Sequence, residues 1–395
     1  MGVMLTGHHL IYFAPETWDG LWRNRQQLMS LFARCNQVLY VEEIPRLKKV
    51  VKKVRQGTLS VSDFKRPPVR QVAESLFVFQ YPLLGAHNNR PVLRYLTDWA
   101  RRSALKKTLT SLKVEKPIVW IHRPEMVDMI DELPDWSMLI YHVVDEYSAY
   151  GGQSSASRQR TAEREQKLME IADVVVVVSD ELYKSKSPYN PNTYLVRNGV
   201  NFDAFDRALK DDFLPHVFQT IPQPRLGYSG SIGDRLDFEM LTEVALHHTD
   251  WSLVFLGADN VSPRARKQWE ALKSLPNVYE LGPVSADQVP YFVKGFNVGL
   301  MPYIQNNFSH NISPLKLYDY LAAGLPIACI DIPAVQDFAA HIHIAKNPQD
   351  FACALKSALA DSSEERKRER IDLAKQNTWE ARVDQLSKII ERHLV

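Results

Sequence analysis

The stretch SPLKLYDYLAAGLPIACID, residues 313–331, decides how the chain is read. Serine followed by proline opens helices: Ser313 suits the N-cap, and Pro314 the first helical position, where no amide hydrogen is needed. Ala322, Ala323 and Gly324 keep the far end of this predicted helix thin, so that it packs close to a sheet. Leu-Pro then leads straight into PIACI, a run apolar on both faces, as a buried parallel strand is. A helix feeding directly into a buried strand is the repeating unit of an α/β domain. The helix start carries a second message. The N–H groups of Leu315 and Lys316 point out of it, the helix dipole favours an anion there, and the Lys316 ammonium stands beside them. That combination suits a diphosphate, and Asp319, one turn on, is placed to accept from ribose hydroxyls. A capped helix with a surface lysine is the plainer account of the same residues.

The alternation extends outward in both directions. Strands are predicted at 9–14, 37–42, 75–80, 117–122, 138–144, 173–178 and 194–197, with helices at 21–34, 92–112 and 157–171. The pattern then restarts, with strands at 225–229, 251–256, 277–281, 298–301, 326–330 and 342–345. Helices of this second round fall at 236–248, 264–275, 286–295, 314–323 and 348–360. Two rounds of strand and helix predict an α/β fold of two doubly wound, Rossmann-like domains facing a cleft. A chain of 395 residues is also longer than one ordinary core supports. The proline-rich segment KDDFLPHVFQTIPQP, 210–224, is the expected seam. It leaves a first domain at 1–209 and a second at 222–377, with a terminal helix at 378–395 packing back on the first.

Charge and cysteines narrow the function classes. Lys+Arg 48 against Asp+Glu 46 leaves +2, so nucleic acid is not an expected partner. Cys35, Cys329 and Cys353 are odd in number and scattered, which suits a reducing compartment and neither a disulfide framework nor a zinc cluster. The first residues lack the pattern of a signal peptide. No run reaches the roughly 18–20 apolar residues that cross a bilayer. A cytoplasmic protein is expected. RLKKVVKKVRQ, 46–56, holds six basic residues and no acid, with Leu47, Val50, Val51 and Val54 on one helical face. Such a helix suits an anionic membrane surface, which would make the protein peripheral on the inner face; a solvated surface helix is the plainer account.

Two further motifs follow predicted strands in the second half. In GYSGSIGDRLDFEML, 227–241, Gly230, Ser231 and Gly233 let backbone amides approach a phosphate, and Arg235 adds a fork of donors. An ordinary tight turn with Arg235 in solvent is the alternative. In NVYELGPV, 277–284, Glu280 ends a strand, and the loop that follows offers backbone bonds to a flat base, with Tyr279 or Val284 against its face.

These residues resemble those of the GT-B type glycosyltransferases, in particular the large group 1, family 4-like set. RLGYSGSI, WSLVFLG, NVYELGPV, VGLMPY and above all SPLKLYDYLAAGLPI carry the resemblance in the second half. YHVVDEYSAY, ADVVVVVSDEL and YLVRNGVNFDAF carry it in the first. The resemblance implies that the second domain binds a nucleoside diphosphate sugar, with UDP expected. Many members carry two glutamates eight residues apart, one near the sugar and one on the ribose; Asn311 and Asp319 stand at those positions here. The resemblance further implies an acceptor in the first domain, a glycan or lipid-linked sugar of cell-surface polysaccharide or glycolipid synthesis. Glu16, Trp18, Arg23 and Arg25, in FAPETWDGLWRNRQQL after the first strand, are its candidate contacts, Trp18 by stacking or else by packing. His122, ending the fourth predicted strand, is expected near the donor sugar. Asp145, after LIYHVV, is the candidate general base, with Glu146 as its rival. An inverting enzyme needs that base; in a retaining one the leaving diphosphate takes the proton and Asp145 orients substrate. No metal motif and no cofactor is expected, since helix N-termini, Arg235 and Lys316 can neutralise the diphosphate. Two other classes share this architecture, a sugar-nucleotide 2-epimerase and a non-catalytic nucleotide-sugar-binding protein.

Overall fold

The structure, a computed structural model, describes residues 4–20, 22–56, 66–86, 91–133, 135–147 and 155–394. It divides into two α/β units. Unit 1 holds residues 1–178, 182–196 and 383–395, and unit 2 holds 179–181 and 197–382.

The first unit's strands are β1 (His9–Phe13), β2 (Gln37–Val41), β3 (Val69–Ala73), β4 (Leu76–Phe79), β5 (Ile118–Ile121), β6 (Met138–Val143), β7 (Val174–Val177) and β8 (Thr193–Leu195). Between them run α1 (Asn24–Phe32), α2 (Leu47–Arg55), α3 (Pro91–Ser111), α4 (Ser155–Ile171) and α5 (Asp180–Lys186). The strands form one sheet in the order β3-β4-β2-β1-β5-β6-β7-β8. All pairings are parallel except β3 with β4. The runs rich in Val, Ile and Leu are buried on both faces, which is why they read as continuous rather than alternating. Strand β3 is the exception. VRQVA is largely exposed at the sheet edge, and its polar residues hid it from an apolar-run reading.

The elements that follow are α6 (Phe202–Lys210), β9 (Arg225–Ser229), α7 (Phe238–His247), β10 (Ser252–Leu256), α8 (Arg266–Lys273), β11 (Val278–Gly282), α9 (Val289–Val293) and β12 (Val298–Met301). After them come α10 (Asn307–Asn311), α11 (Leu315–Ala322), β13 (Ile327–Ile330), β14 (His343–Ala345), α12 (Phe351–Ala360), α13 (Glu364–Lys375) and α14 (Trp379–His393). Strands β9 to β14 form an all-parallel sheet in the order β11-β10-β9-β12-β13-β14.

The chain passes into unit 2 at Arg197, ahead of the expected seam at 210–224. The reason lies in α6. Phe205 and Val200 are buried in the core of unit 2, and Lys294 Nζ donates to the Ala208 carbonyl at 2.7 Å. The last helix ends in unit 1, where Tyr194 Oη and His393 Nε2 are 2.8 Å apart and Gln385 Nε2 donates to the Leu195 carbonyl at 3.1 Å.

Both sheets reverse direction next to their first strand. In unit 1 the chain goes from β1 outward through β2 and β4, then restarts on the other side at β5. In unit 2 it goes from β9 through β10 and β11, then restarts at β12. At such a switch point the loops leaving neighbouring strands diverge and open a crevice beyond the carboxyl ends. Candidate residues are therefore best judged by their distance from the β1/β5 and β9/β12 ends.

Candidate functional site

At the carboxyl end of β9 the backbone makes a close turn. Gly230 has φ +137 and Gly257 φ +151, and a Cβ on Gly257 would lie 2.0 Å from the Gly230 carbonyl oxygen. The turns after β9 and β10 thus touch backbone to backbone, tied by Gly230 N–H to the Leu256 carbonyl at 2.8 Å. Ser231 is held from two sides: its carbonyl accepts from Tyr228 Oη and its Oγ from Asn260 Nδ2, each at 2.9 Å.

Lys316 comes to this turn from α11. Its Nζ lies 4.7 Å from the centroid of the Tyr228 ring and 5.6 Å from that of Tyr303, and it donates to Tyr303 Oη at 3.1 Å. A Cβ at Gly230 would stand only 3.2 Å from that Nζ. The ammonium is thus turned inward, between two aromatic faces and beside the Gly230 backbone. Cation–π attraction and the phenol dipole fix its position. Burial keeps the Tyr303 hydroxyl well above its ordinary pKa, while the nearby Arg235 charge pulls the other way, so Arg235 shares the same neighbourhood. Tyr228 and Tyr303 were not read as site residues; the signal was aromatics at the ends of β9 and β12. Asp319, one turn beyond Lys316, is pushed up to about 7 by burial, against the pull of Lys316. Asn311 closes α10, and its carbonyl accepts from Ser179 Oγ at 2.9 Å.

Three expectations for this end of unit 2 need correction. Pro314, not Ser313, is the N-cap of α11, and no side chain caps it. Ser313 is engaged elsewhere: its carbonyl accepts from Asn198 Nδ2 at 2.7 Å, and it hydrogen-bonds Tyr318. The helix after GSIGD begins only at Phe238, and its N-terminus is occupied by Asp237, whose Oδ1 accepts from Met240 N–H at 3.0 Å. An anion at Gly230 therefore meets the turn and not the α7 dipole. Glu280 is exposed and pairs with Lys273 of α8 at 3.3 Å, so its carboxylate is committed to that helix. Val284 packs against the unit 2 core.

Unit 1 has its own polar cluster at the β1/β5 switch. Tyr12 of β1 lies 3.0 Å from His122 Nδ1, and Arg25 Nη1 lies 3.3 Å from His122 Nε2. A guanidinium only donates, so Nε2 accepts and the ring proton sits on Nδ1. Burial, reinforced by Arg25, holds His122 well below the ordinary histidine range, and the ring is neutral. Arg25 Nη2 also pairs with Glu16 Oε2 at 2.7 Å, and Arg23 Nε approaches the same oxygen at 3.7 Å. Burial pushes the Glu16 carboxyl up, but Arg25 and Arg23 more than offset it and keep it below its usual value.

Several expectations for unit 1 residues change here. His122 is 1 % exposed and both its nitrogens are engaged, so it does not present a ring atom to a sugar. Arg25 is buried as well and acts as the tie between Glu16 and His122. Trp18 is a packing residue. Its ring meets Tyr40 at 5.0 Å and Trp22 at 5.7 Å, and its backbone N–H donates to Glu42 Oε1 at 2.8 Å. Tyr12, Tyr40 and Glu42, which complete this cluster, were hidden inside apolar strand runs. Glu16 and Arg23 remain partly exposed. Asp145 follows β6 and is partly buried. Its rival Glu146 is fixed elsewhere: Lys186 Nζ bridges Glu146 Oε2 and Glu165 Oε2 at 3.0 Å each, and Tyr141 Oη donates to Glu165 at 2.9 Å.

Against known proteins, residues 223–361 match the family model described as glycosyl transferases group 1. A Bacillus subtilis protein that carries the name of a teichuronic acid biosynthesis glycosyltransferase is 27% identical, over 98% of both chains. Among solved structures, sucrose-phosphate synthase of Thermosynechococcus elongatus superposes with a TM-score of 0.70 at 16% identity, covering 98% of this chain and 99% of that one. The trehalose 6-phosphate synthase of Burkholderia multivorans does so with 0.66 at 13% identity, over 98% and 99%. The matched segment spans β9 to α12, which includes the Gly230 turn, Arg235 and the Lys316 helix. The second half of the chain thus resembles the group 1 glycosyltransferases, and the chain shares the two-domain GT-B fold of these synthases.

Proposed function

We propose that the chain is a glycosyltransferase that takes its sugar from a nucleoside diphosphate sugar, a UDP-sugar being the first to test, and passes it to a glycan or lipid-linked acceptor in cell-surface polysaccharide or glycolipid synthesis. The observation that carries the reading is the inward-turned Lys316 ammonium beside the Gly230 backbone, at the start of an uncapped helix and at the β9/β12 switch. In this reading the diphosphate lies on Gly230 and Ser231. Lys316, Arg235 and the α11 N-terminus formed by Pro314, Leu315 and Lys316 balance its charge, which grows as the sugar departs. Asp319 accepts from the ribose and Asn311 bonds the donor sugar. Asp145 takes or orients the acceptor hydroxyl, and Glu16 and Arg23 contribute to acceptor binding. Positive charge from the chain itself makes a divalent metal dispensable, so chelation with EDTA should leave turnover unchanged. Helix 46–56 would hold unit 1 on the anionic membrane that carries a lipid-linked acceptor.

Incubation with a panel of nucleotide sugars tests the reading. Nucleoside diphosphate release that rises with added acceptor supports it. Conversion of the donor to its 2-epimer, or binding without turnover, would replace it with one of the other two classes.

A further inference from the structure

Helix α3 carries an exposed aromatic stripe that the catalytic reading leaves without a task. Tyr95 is 74% exposed and Trp99 65%, one turn apart, with Leu96 exposed beside them. A contiguous exposed apolar patch marks an interaction surface more often than single scattered residues do. Tyr95, Trp99, Arg102 and Lys106 follow at i, i+4, i+7 and i+11, so one helical face runs from aromatic to basic. The helix contains a single acid, Asp98, and Arg101 pairs with it, so the exposed charge on this face is positive. Helix α2 matches it: Leu47, Val51 and Val54 are exposed in a segment whose charged residues are all basic.

Topology brings the two together. Strands β2 and β4 are hydrogen-bonded parallel neighbours, with Val41 opposite Phe79. Helix α2 follows the carboxyl end of β2, and α3 follows that of β4, so both begin at the same edge of the sheet. Tyr95, Leu96 and Trp99 lie in the opening turns of α3, nearest that edge. Tryptophan and tyrosine, each with an apolar body and a polar tip, settle at the headgroup level of bilayers. Basic side chains at the same depth are drawn to anionic lipid.

We propose that the β2/β4 carboxyl edge of unit 1 docks on a bilayer of anionic lipid, with Tyr95, Leu96 and Trp99 as its interfacial anchor and the basic residues of α2 and α3 as its electrostatic attraction. This rests on the membrane role given above to 46–56, and adds a second, aromatic foot to it. One foot alone gives a weak, salt-sensitive contact; two fix the tilt of the unit on the surface.

Co-sedimentation of the full chain with vesicles tests it. Phosphatidylcholine vesicles with and without phosphatidylglycerol serve as the two surfaces, and nucleotide-induced thermal shift reports that each variant is folded. Wild type should sediment only with the anionic vesicles, and less so as salt is raised. Y95S/W99S should lose roughly tenfold in apparent affinity with its nucleotide shift intact, and K52E/R55E should lose at least as much. A Y95S/W99S chain that sediments like wild type while K52E/R55E does not would overturn the aromatic anchor and spare the α2 contact. Wild type that ignores anionic vesicles would overturn both. A concentration-dependent dimer abolished by Y95S/W99S, without vesicle binding, would assign the stripe to a second copy instead.

Discussion

Lys316 is the residue on which the proposed donor site turns, because its ammonium is held between Tyr228 and Tyr303 beside the Gly230 backbone. Replacing it by alanine should weaken nucleoside diphosphate binding by about 1.5–3 kcal/mol, the usual worth of a hydrogen bond to a charged group. Isothermal titration with UDP and with uridine separates the two parts: the loss should appear with the diphosphate and vanish with the nucleoside. Asp319 makes a second, pH-dependent prediction. Burial raises its carboxyl to about 7, so the folded chain keeps a proton that the unfolded chain has released. The stability this contributes is fully present below the unfolded carboxyl value of about 3.9. It is gone once pH has risen through about 7. Asp319→Asn, which cannot ionise, should therefore melt with a flatter pH dependence between those limits than wild type does. An unchanged slope would show that Asp319 titrates normally. For Asp145, replacement by asparagine should cut turnover while leaving UDP affinity nearly intact; a fully active variant would end its role in proton transfer or acceptor orientation.

At the level of single elements, α11 accounts for the stretch 313–331. Its end is fixed by Gly324 at φ +70, with Leu325 N–H bonded back to the Tyr320 carbonyl at 2.9 Å, and Arg370 Nε donating to the Gly324 carbonyl at 3.0 Å. A left-handed residue there turns the chain into β13, which is why Ala-Ala-Gly-Leu-Pro could be read as an exit. The Gly257 turn is the stricter case. Gly257→Ala would put a methyl group on the Gly230 carbonyl in a backbone conformation that disfavours it. It should cost on the order of 2 kcal/mol or more and weaken nucleotide binding with it, as paired denaturation and titration would show. Strands and long helices were legible because both-face burial leaves continuous apolar runs. Edge strand β3 was not, since exposure gives it polar residues. The side on which a strand-end residue falls was equally hidden. Glu280 looked like a site residue until its neighbour Lys273 was seen to hold it. Trp18 looked like a platform until Tyr40 and Trp22 covered it. Lys316 and Gly230 stood out as candidates because a glycine turn and a basic helix start each suit an anion by their own chemistry, and the structure brings the two together.

For the molecule as a whole, the two units should answer nucleotide differently. Binding to the folded form alone stabilises by about 2.7 kcal/mol at a ligand concentration one hundred times Kd. If the donor site belongs to unit 2, calorimetry with saturating UDP should raise the transition of unit 2 and leave that of unit 1 near its original temperature. A shift confined to unit 1 would reverse the assignment of donor and acceptor. The path of the chain has a further consequence. Unit 2 interrupts unit 1 between Val196 and Val383, so the strand carrying Tyr194 and Leu195 waits for partners at Gln385 and His393 that are made only after unit 2. A ribosome delivering roughly 5–20 residues per second exposes the whole interrupting segment before it releases the last helix. The later-made unit can therefore mature first, while the earlier-made one holds an open flank until helix α14 has emerged.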